Sequence, residues 1–161
     1  MTETKYILIK EQINRSNTPI FSSNMSVKNA DWAVDASIPL SVFNESLSGL
    51  ETITKYLKEE FGLGFRQIAL ILNRDERTIW GAYSGCRNKM EEKLPVHYSK
   101  YYIPISIFRN RELSVLELIT EYLKENVHLR YCQIASCLKR DDRTVWTAYQ
   151  RARKKRRKNA E

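Results

Sequence analysis

The chain has 161 residues and a formal net charge of +8, and 42% of its residues are hydrophobic, so it can fold as one medium domain or two small ones. Five glycines and four prolines are too few for a sandwich, a barrel or a Gly-rich phosphate loop, and they favour helices. The charge is concentrated at one end, since residues 101–161 carry 14 basic and 7 acidic side chains. Such an excess is typical of proteins that bind a polyanion, most often nucleic acid.

Residues 1–37 form an N-terminal segment with no sustained hydrophobic period. We interpret it as mostly irregular, with a short strand at Tyr6–Ile9. This apolar run is shorter than the core of a signal peptide, and no run in the chain approaches the roughly 20 residues of a membrane helix. We therefore expect an intracellular protein without a membrane partner, cytoplasmic and nucleoid-associated in a prokaryote or nuclear in a eukaryote. Three cysteines without a CxxC pair agree with reduced thiols.

An internal duplication follows. Residues 38–89 and residues 103–155 align with one inserted residue, and more than half of the aligned positions are identical. Two copies are too few for a solenoid, so the duplication predicts two tandem small domains. Residues 90–102 form the linker between them, and residues 156–161 form a basic C-terminal tail. Each copy opens with an IPxSxF segment, which proline and β-branched residues keep extended, either packed across the bundle or paired as a short strand.

Each copy predicts three helices. In the second copy an amphipathic helix spans about 112–126, a short helix carries apolar residues from Tyr131 to Leu138, and a third helix follows Asp141 as its N-cap. The first copy repeats this order, with Asp75 as the corresponding cap. A short helix, a tight turn and a longer helix are the helix-turn-helix motif, whose second helix lies in the DNA major groove. The predicted fold class is therefore all-α, with two tandem three-helical helix-turn-helix domains.

The segment QIASCLKRDDRTVWTAYQRARKK resembles the C-terminal helix-turn-helix, region four, of bacterial RNA polymerase sigma factors. The similarity lies in the small residue Ala135, the apolar Leu138, the cap Asp141, the Thr144-Val145 pair and the closing run of arginines and lysines. It covers about 25 residues of each copy. The turn departs from the family pattern, because Asn73 and Lys139 stand where glycine is usual, and Arg74 and Arg140 follow where an apolar residue is usual. The resemblance implies DNA binding and a possible docking role on RNA polymerase.

The outward face of each third helix supplies the candidate nucleic-acid contacts. Arginine forks onto guanine, glutamine onto adenine, and threonine contacts a thymine methyl group or a phosphate. In the second copy this face comprises Arg143, Thr144, Trp146, Thr147, Gln150 and Arg151, and in the first copy Arg77, Thr78, Trp80, Ser84 and Arg87. The basic residues that continue from the second copy, either as helix or as a disordered tail, would neutralise phosphates; they are Arg153, Lys154, Lys155, Arg156, Arg157 and Lys158.

Two features of these faces have a competing structural interpretation. Arg77 and Arg143 pair either with the capping aspartates Asp75 and Asp141 or with phosphate. We interpret the two tryptophans, Trp80 and Trp146, as packing residues, because an indole removes much apolar surface from water; stacking on a base is the alternative. Gly81 and Gly85 weaken the first copy's helix, so we expect the second copy to bind more strongly.

No catalytic or cofactor pattern is present in the sequence. His97 and His128 belong to no ligand pattern, and the paired acids at the caps have no evident general base. The sequence thus predicts a non-enzymatic protein without metal or cofactor that binds duplex DNA as a transcription regulator or chromosome-associated factor. The alternatives are a protein that grips RNA or the ribosome, and a module that docks on RNA polymerase.

The linker predicts the geometry of binding. Fully extended, its thirteen residues reach roughly 43–47 Å, enough for adjacent major-groove half-sites about 34 Å apart. We expect a monomer footprint of about 15–20 base pairs without the need for a palindrome. The rival packing buries one third helix against the other copy and leaves a single reading helix.

Overall fold

The computed structural model describes residues 36–159, and this part of the chain is mostly helical. The first repeat holds strand β1 (Ser37–Pro39), a 3-10 turn (Leu40–Val42), and helices α1 (Gly49–Glu60), α2 (Phe65–Ile71) and α3 (Glu76–Lys89). The second repeat holds strand β2 (Tyr102–Pro104), a 3-10 turn (Ile105–Arg109), and helices α4 (Val115–Glu125), α5 (Tyr131–Leu138) and α6 (Asp142–Lys158). The strand proposed at Tyr6–Ile9 lies outside the described residues.

The first helix of each repeat begins at a capping box. The Ser48 hydroxyl accepts from the backbone N–H of Glu51, and the Glu51 carboxylate accepts from the backbone N–H of Ser48. Ser114 and Glu117 repeat this arrangement at the start of α4. These caps satisfy backbone donors that a helix start leaves unpaired, so α1 and α4 begin later than hydrophobic spacing alone suggests.

Left-handed residues join the helices of each repeat. Gly62 lies two residues after the end of α1 and has φ +64°. The corresponding residue of the second repeat, His128, has φ +59°. Between the second and third helices, Asn73 and Lys139 both have φ +51°. Asparagine tolerates this conformation, and lysine adopts it at some cost. Gly64 is the N-cap of α2.

Both third helices confirm the predicted caps, and α6 confirms the predicted core stripe. The Asp75 and Asp141 carboxylates accept from the backbone N–H groups of Arg77 and Arg143. The stripe of α6 is fully buried at Val145, Ala148, Tyr149 and Ala152. In α3 only Ile79 and Cys86 of the stripe are fully buried, and burial raises the pKa of the Cys86 thiol.

The two repeats share one hydrophobic core and one sheet. β1 and β2 are antiparallel, with Ile38 opposite Ile103, so the IPxSxF segments pair as short strands, one of the two arrangements expected. Both isoleucines are completely buried in a cluster that draws residues from both repeats. The first 3-10 turn packs on α5 of the other repeat, and the second 3-10 turn packs on α2. Each repeat thus completes the hydrophobic surface of the other.

The segment between the repeats is held against them at several points, which corrects the expectation that it spans freely between half-sites. Leu94 and Ser99 are buried, and the Ser41 hydroxyl donates to the carbonyl of His97 at 2.8 Å. Its last residue, Tyr102, already belongs to β2. Because these contacts hold it against the repeats, the reach of an extended chain does not set the distance between the third helices.

Candidate nucleic-acid interface

The exposed face of α6 is a continuous cationic surface. Eight basic residues follow Asp142 along this helix with no acidic residue among them. Six of them form no ion pair with the described residues, and all six are exposed: Arg143, Arg151, Arg153, Lys154, Arg157 and Lys158. We call these six side chains, together with Thr144, Trp146, Thr147 and Gln150, the α6 face. Its charge suits a polyanion, and its uncharged residues lie in the half nearer the N-terminus.

The core of the second repeat fixes the orientation of this face. Val145 and Ala152 are completely buried, which turns Gln150 and Lys154 away from the core. The Tyr149 hydroxyl donates to the Glu125 carboxylate, and this hydrogen bond, with burial, raises the pKa of Tyr149 to about 12. Arg153 lies over the Tyr149 ring with its guanidinium carbon 5.8 Å from the ring centroid. The rotation of α6 is therefore set by buried contacts on its opposite side.

The C-terminal basic run continues α6 as helix to Lys158, one of the two forms expected for it. Two of its cations, although exposed, form ion pairs with carboxylates of α4. The Lys155 ammonium lies 2.7 Å from the Glu117 carboxylate, and the Arg156 guanidinium lies 2.9 Å from Glu121. Both were predicted to contact nucleic acid. Their charges are therefore already matched within the fold, whereas the other cations of this run, Arg153, Lys154, Arg157 and Lys158, form no ion pair with the described residues.

The tryptophans do not pack in the core, which corrects our interpretation of both. Trp80 is 57% exposed and Trp146 is 51% exposed. The stripe that includes Val145 turns Trp146 toward solvent, because one residue further along a helix is about 100° around its axis. Both indoles therefore lie on the same faces as the candidate readers, where they can contact a partner.

The threonines of the third helices differ in exposure, and the arginines that follow the aspartate caps keep their guanidinium groups free of ion pairs within the described residues. Thr144 and Thr78 are exposed near the starts of the third helices. Thr147 is half-buried, and its hydroxyl donates to the carbonyl of Arg143 at 2.7 Å, which leaves its methyl group for an apolar contact. Within the described residues, Arg77 and Arg143 meet the capping aspartates only through their backbone N–H groups. Their guanidinium groups form no ion pair there and are available to a partner.

The α3 face of the first repeat has the same framework with less charge. It carries Arg77, Thr78, Trp80, Ser84 and Arg87. Phe65, Trp80, Tyr83, Ser84 and Arg87, with Asn88 and Glu91, border an open groove of about 510 Å³. Asn88 and Glu91 occupy the positions held by Lys154 and Arg157 in the second repeat. The α3 face therefore carries fewer cations than the α6 face, and the stronger binding expected of the second copy stays a prediction.

A smaller groove of about 340 Å³ lies between α6 and the start of α4. Arg143, Thr147 and Arg151 border it on one side, and Ser114 and Glu117 on the other. The Glu117 carboxylate in this groove is held by Lys155 and by the backbone of Ser114. The groove is therefore bordered by two exposed guanidinium groups and by a carboxylate whose charge is already paired with Lys155.

Sequence reasoning missed two sets of structural cations. Lys89 binds Glu51 at 2.8 Å just as Lys155 binds Glu117, and both pairs are 38 residues apart in the chain. This equal spacing in two copies was a signal available in the sequence. The second is Arg140, whose guanidinium donates to the carbonyls of Asn44, Glu45 and Leu47 in the other repeat. Its only signal was a charged residue at a normally apolar turn position.

Residues 36–159 contain no cluster of histidine, cysteine and carboxylate side chains able to hold a metal ion. Across the same residues, no helix has the length and apolar character needed to cross a membrane. No family model, curated protein or solved structure matches this chain.

Proposed function

We propose that this is a non-enzymatic protein that binds duplex DNA, acting as a transcription regulator or a chromosome-associated factor. In this proposal α2–α3 and α5–α6 are helix-turn-helix units, as the resemblance to sigma region four implies. Each has a short helix, a turn through a left-handed residue and a longer capped helix. The α6 face enters the major groove, where it contacts phosphates and base edges.

One observation carries the proposal: the α6 face combines unpaired cations with side chains that read bases. Its basic residues flank Thr147 and Gln150 on a single helix whose other side is anchored in the core. Arginine and lysine supply affinity for any duplex, whereas glutamine and threonine discriminate among base pairs.

A competition experiment tests the proposal. A labelled duplex DNA bound to the full chain is challenged with unlabelled duplex DNA, duplex RNA and heparin at two salt concentrations. Preference for particular DNA duplexes, retained at the higher salt, supports the proposal, because base contacts do not depend on counterion release. Equal competition by all three polyanions contradicts sequence reading, and duplex RNA as the best competitor favours binding to RNA or the ribosome.

In the same assay, single substitutions distinguish the recognition of base edges from the electrostatic attraction to phosphates. Gln150→Ala is expected to reduce the discrimination between preferred and random duplexes by about 1–3 kcal/mol, since a bidentate contact to adenine is lost. Ser84→Ala, at the equivalent position of α3, is the matched control and should change discrimination less. If neither substitution affects any duplex, α6 does not read bases.

The exposed tryptophans favour a second candidate, a module that docks on another protein such as RNA polymerase. Trp80 lies beside Phe65 and Tyr83 at the groove of the first repeat, and tryptophan is enriched at protein interfaces. This candidate predicts no measurable affinity for any of the three polyanions. It also predicts that Trp80→Ala abolishes binding to the partner.

A further inference from the structure

The two repeats contact each other reciprocally. The backbone N–H of Leu40 donates to the carbonyl of Tyr101 at 3.0 Å, and the N–H of Ile105 donates to the carbonyl of Ala36 at 2.9 Å. The two hydrogen bonds are equivalent, because Leu40 and Ile105 occupy the same position in the two repeats, and so do Ala36 and Tyr101. Contacts in which i meets j and j meets i define an isologous interface, the kind formed by a two-fold axis.

Two equivalent pairs lie where such an axis must pass. Ile38 stands opposite Ile103 in the antiparallel sheet, and these residues are counterparts in the alignment. Gly49 and Val115, which begin α1 and α4, are also counterparts, and a Cβ added to Gly49 would lie 2.7 Å from Val115 Cγ1. Counterparts meet only on a symmetry axis. The chain is therefore an intramolecular pseudo-dimer with an approximate two-fold axis between β1 and β2.

The turn residues extend this symmetry to the helix-turn-helix units. Arg140, in the turn before α6, binds the 44–47 loop of the first repeat. Asn73, in the turn before α3, donates to the carbonyl of Arg109 next to the corresponding loop. Each unit is thus held on the opposite repeat by its own turn, so α3 and α6 are related by the same axis. Their separation is fixed by the shared core.

We propose that the preferred DNA target is an imperfect inverted repeat bound by one chain, with the dyad of the DNA on the pseudo-two-fold axis of the protein. This inference rests on the proposed function. A two-fold protein surface matches the local two-fold symmetry of a duplex, so the two half-sites point in opposite directions. It replaces the expectation that tandem fusion removes the need for a palindrome.

The inferred target is imperfect because the two faces differ in chemistry. Both third helices carry the same Arg, Thr and Trp near their starts, at Arg77, Thr78 and Trp80 in α3. They differ at exposed or half-buried positions where α3 has Gly81, Ser84, Gly85 and Asn88 and α6 has Thr147, Gln150, Arg151 and Lys154. Just beyond the end of α3, Glu91 stands at the position of Arg157. The half-site under α6 is therefore the more sharply defined, and the half-site under α3 is degenerate.

Selection of bound fragments from a random duplex library tests the inference. The full chain is used at a concentration where sedimentation shows a monomer. The expected result is two inverted half-sites at one fixed spacing, one well defined and one degenerate. A single half-site, two directly repeated half-sites or a variable spacing would overturn the inference while leaving the proposed function intact. Failure to enrich any duplex would contradict the proposed function, and the inference with it.

A symmetrised variant sharpens the test. Gly81→Thr, Ser84→Gln and Asn88→Lys give α3 three of the exposed side chains of α6, and Gly81 has open space for a side chain. Gly85 is left unchanged, because a Cβ there would lie 3.0 Å from the Glu51 carboxylate that binds Lys89. The variant should bind a perfect inverted repeat of the sharper half-site at least about tenfold more tightly than the unmodified chain does. Equal affinities, with an unchanged melting temperature, would contradict the inference.

Inserting five base pairs between the half-sites supplies the matched DNA control. About half a helical turn moves one half-site to the opposite side of the duplex, which a rigid pair of helices cannot follow. Binding of the inserted site should fall to that of an isolated sharper half-site. Unchanged affinity after the insertion would show that α3 does not contact the same duplex.

Discussion

Single residues decide how the repeats are joined and what their faces present. Arg140 and Arg74 occupy the same position in the two copies, yet only Arg140 reaches three backbone carbonyls of the other repeat. The Nε of Arg74 is buried without a hydrogen-bond partner among the described residues, and burial, with the nearby charge of Arg111, lowers the pKa of Arg74. The caps at Asp75 and Asp141 were predictable because capping is local, whereas these long-range contacts depend on how the copies dock.

The two arginines make a matched pair of variants. Arg140→Ala should lower the free energy of unfolding by about 2–4 kcal/mol, because three carbonyls lose a charged donor. Arg74→Ala should cost less, since it also removes a buried polar atom that has no partner. Chemical denaturation of both variants beside the unmodified chain measures the difference. Equal losses would show that the Arg140 contacts do not stabilise the interface between the repeats.

Trp146→Ala distinguishes a surface contact from a core residue. With half of its side chain exposed, its loss should change the free energy of unfolding by less than about 1 kcal/mol. A core indole would instead cost about 3–5 kcal/mol. A melting curve and a duplex titration of the same sample should therefore show a nearly normal melt and weaker binding. Cooperative unfolding at a much lower temperature would restore the packing interpretation.

At the scale of elements, each helix owes its ends to local sequence and its orientation to packing. Apolar stripes and the aspartate caps of the third helices allowed the six helices of the described residues to be predicted in their observed order. The exposure of the tryptophans was not predicted. The large apolar surface of an indole suggests burial, but the position of each tryptophan on its helix determines whether it is buried. The division of the C-terminal cations was not predicted either, since it depends on which carboxylates of α4 lie beneath α6.

The capping-box glutamates predict how stability depends on pH. Burial opposes the charge of Glu117, but hydrogen bonds from Lys155 and Ser114 outweigh it and hold the pKa of Glu117 below its ordinary 4.5. A lowered folded pKa means that this stabilisation is present above pH 4.5 and is lost as the pH falls through the folded value. The melting temperature of Glu117→Gln should therefore fall less between pH 6 and pH 3 than that of the unmodified chain.

Exposed Glu92 provides the control for this pH series. Glu92→Gln should retain the full loss of melting temperature on acidification, because the described residues include no ion partner for Glu92. If Glu117→Gln and Glu92→Gln show the same acid dependence, the Glu117–Lys155 pair does not link α4 to α6 energetically.

The division of cations on α6 predicts how binding depends on salt. Lys154→Ala with Arg157→Ala removes two exposed charges and should reduce the log–log salt slope of DNA binding by roughly 2, at about 0.9 per phosphate contact. Lys155→Ala with Arg156→Ala removes the same formal charge from the side facing α4. That pair should leave the slope nearly unchanged and lower the melting temperature. Equal slopes for the two double variants would contradict this assignment.

At the scale of the whole molecule, the duplication can be recognised in the sequence, but the way the two repeats pack on each other cannot. The repeated motifs predict two copies of one three-helix unit. That the copies form one pseudo-dimer depends on Ile38 meeting Ile103 and on the two 3-10 turns packing on opposite repeats. Such pairings join residues far apart in the chain, so no local pattern signals them. The segment between the copies likewise contacts the repeats, through buried Leu94 and Ser99, although its composition suggests a free linker.

A nuclear magnetic resonance titration tests the central claim, that the α6 face binds DNA, most directly. The isotope-labelled full chain is titrated with a selected duplex while the backbone amide shifts are followed. The account predicts that the largest changes fall on α6 between Arg143 and Lys158, with smaller changes on α3. Changes concentrated on α1 and α4, or an α6 that stays unperturbed while the duplex is bound, would contradict it.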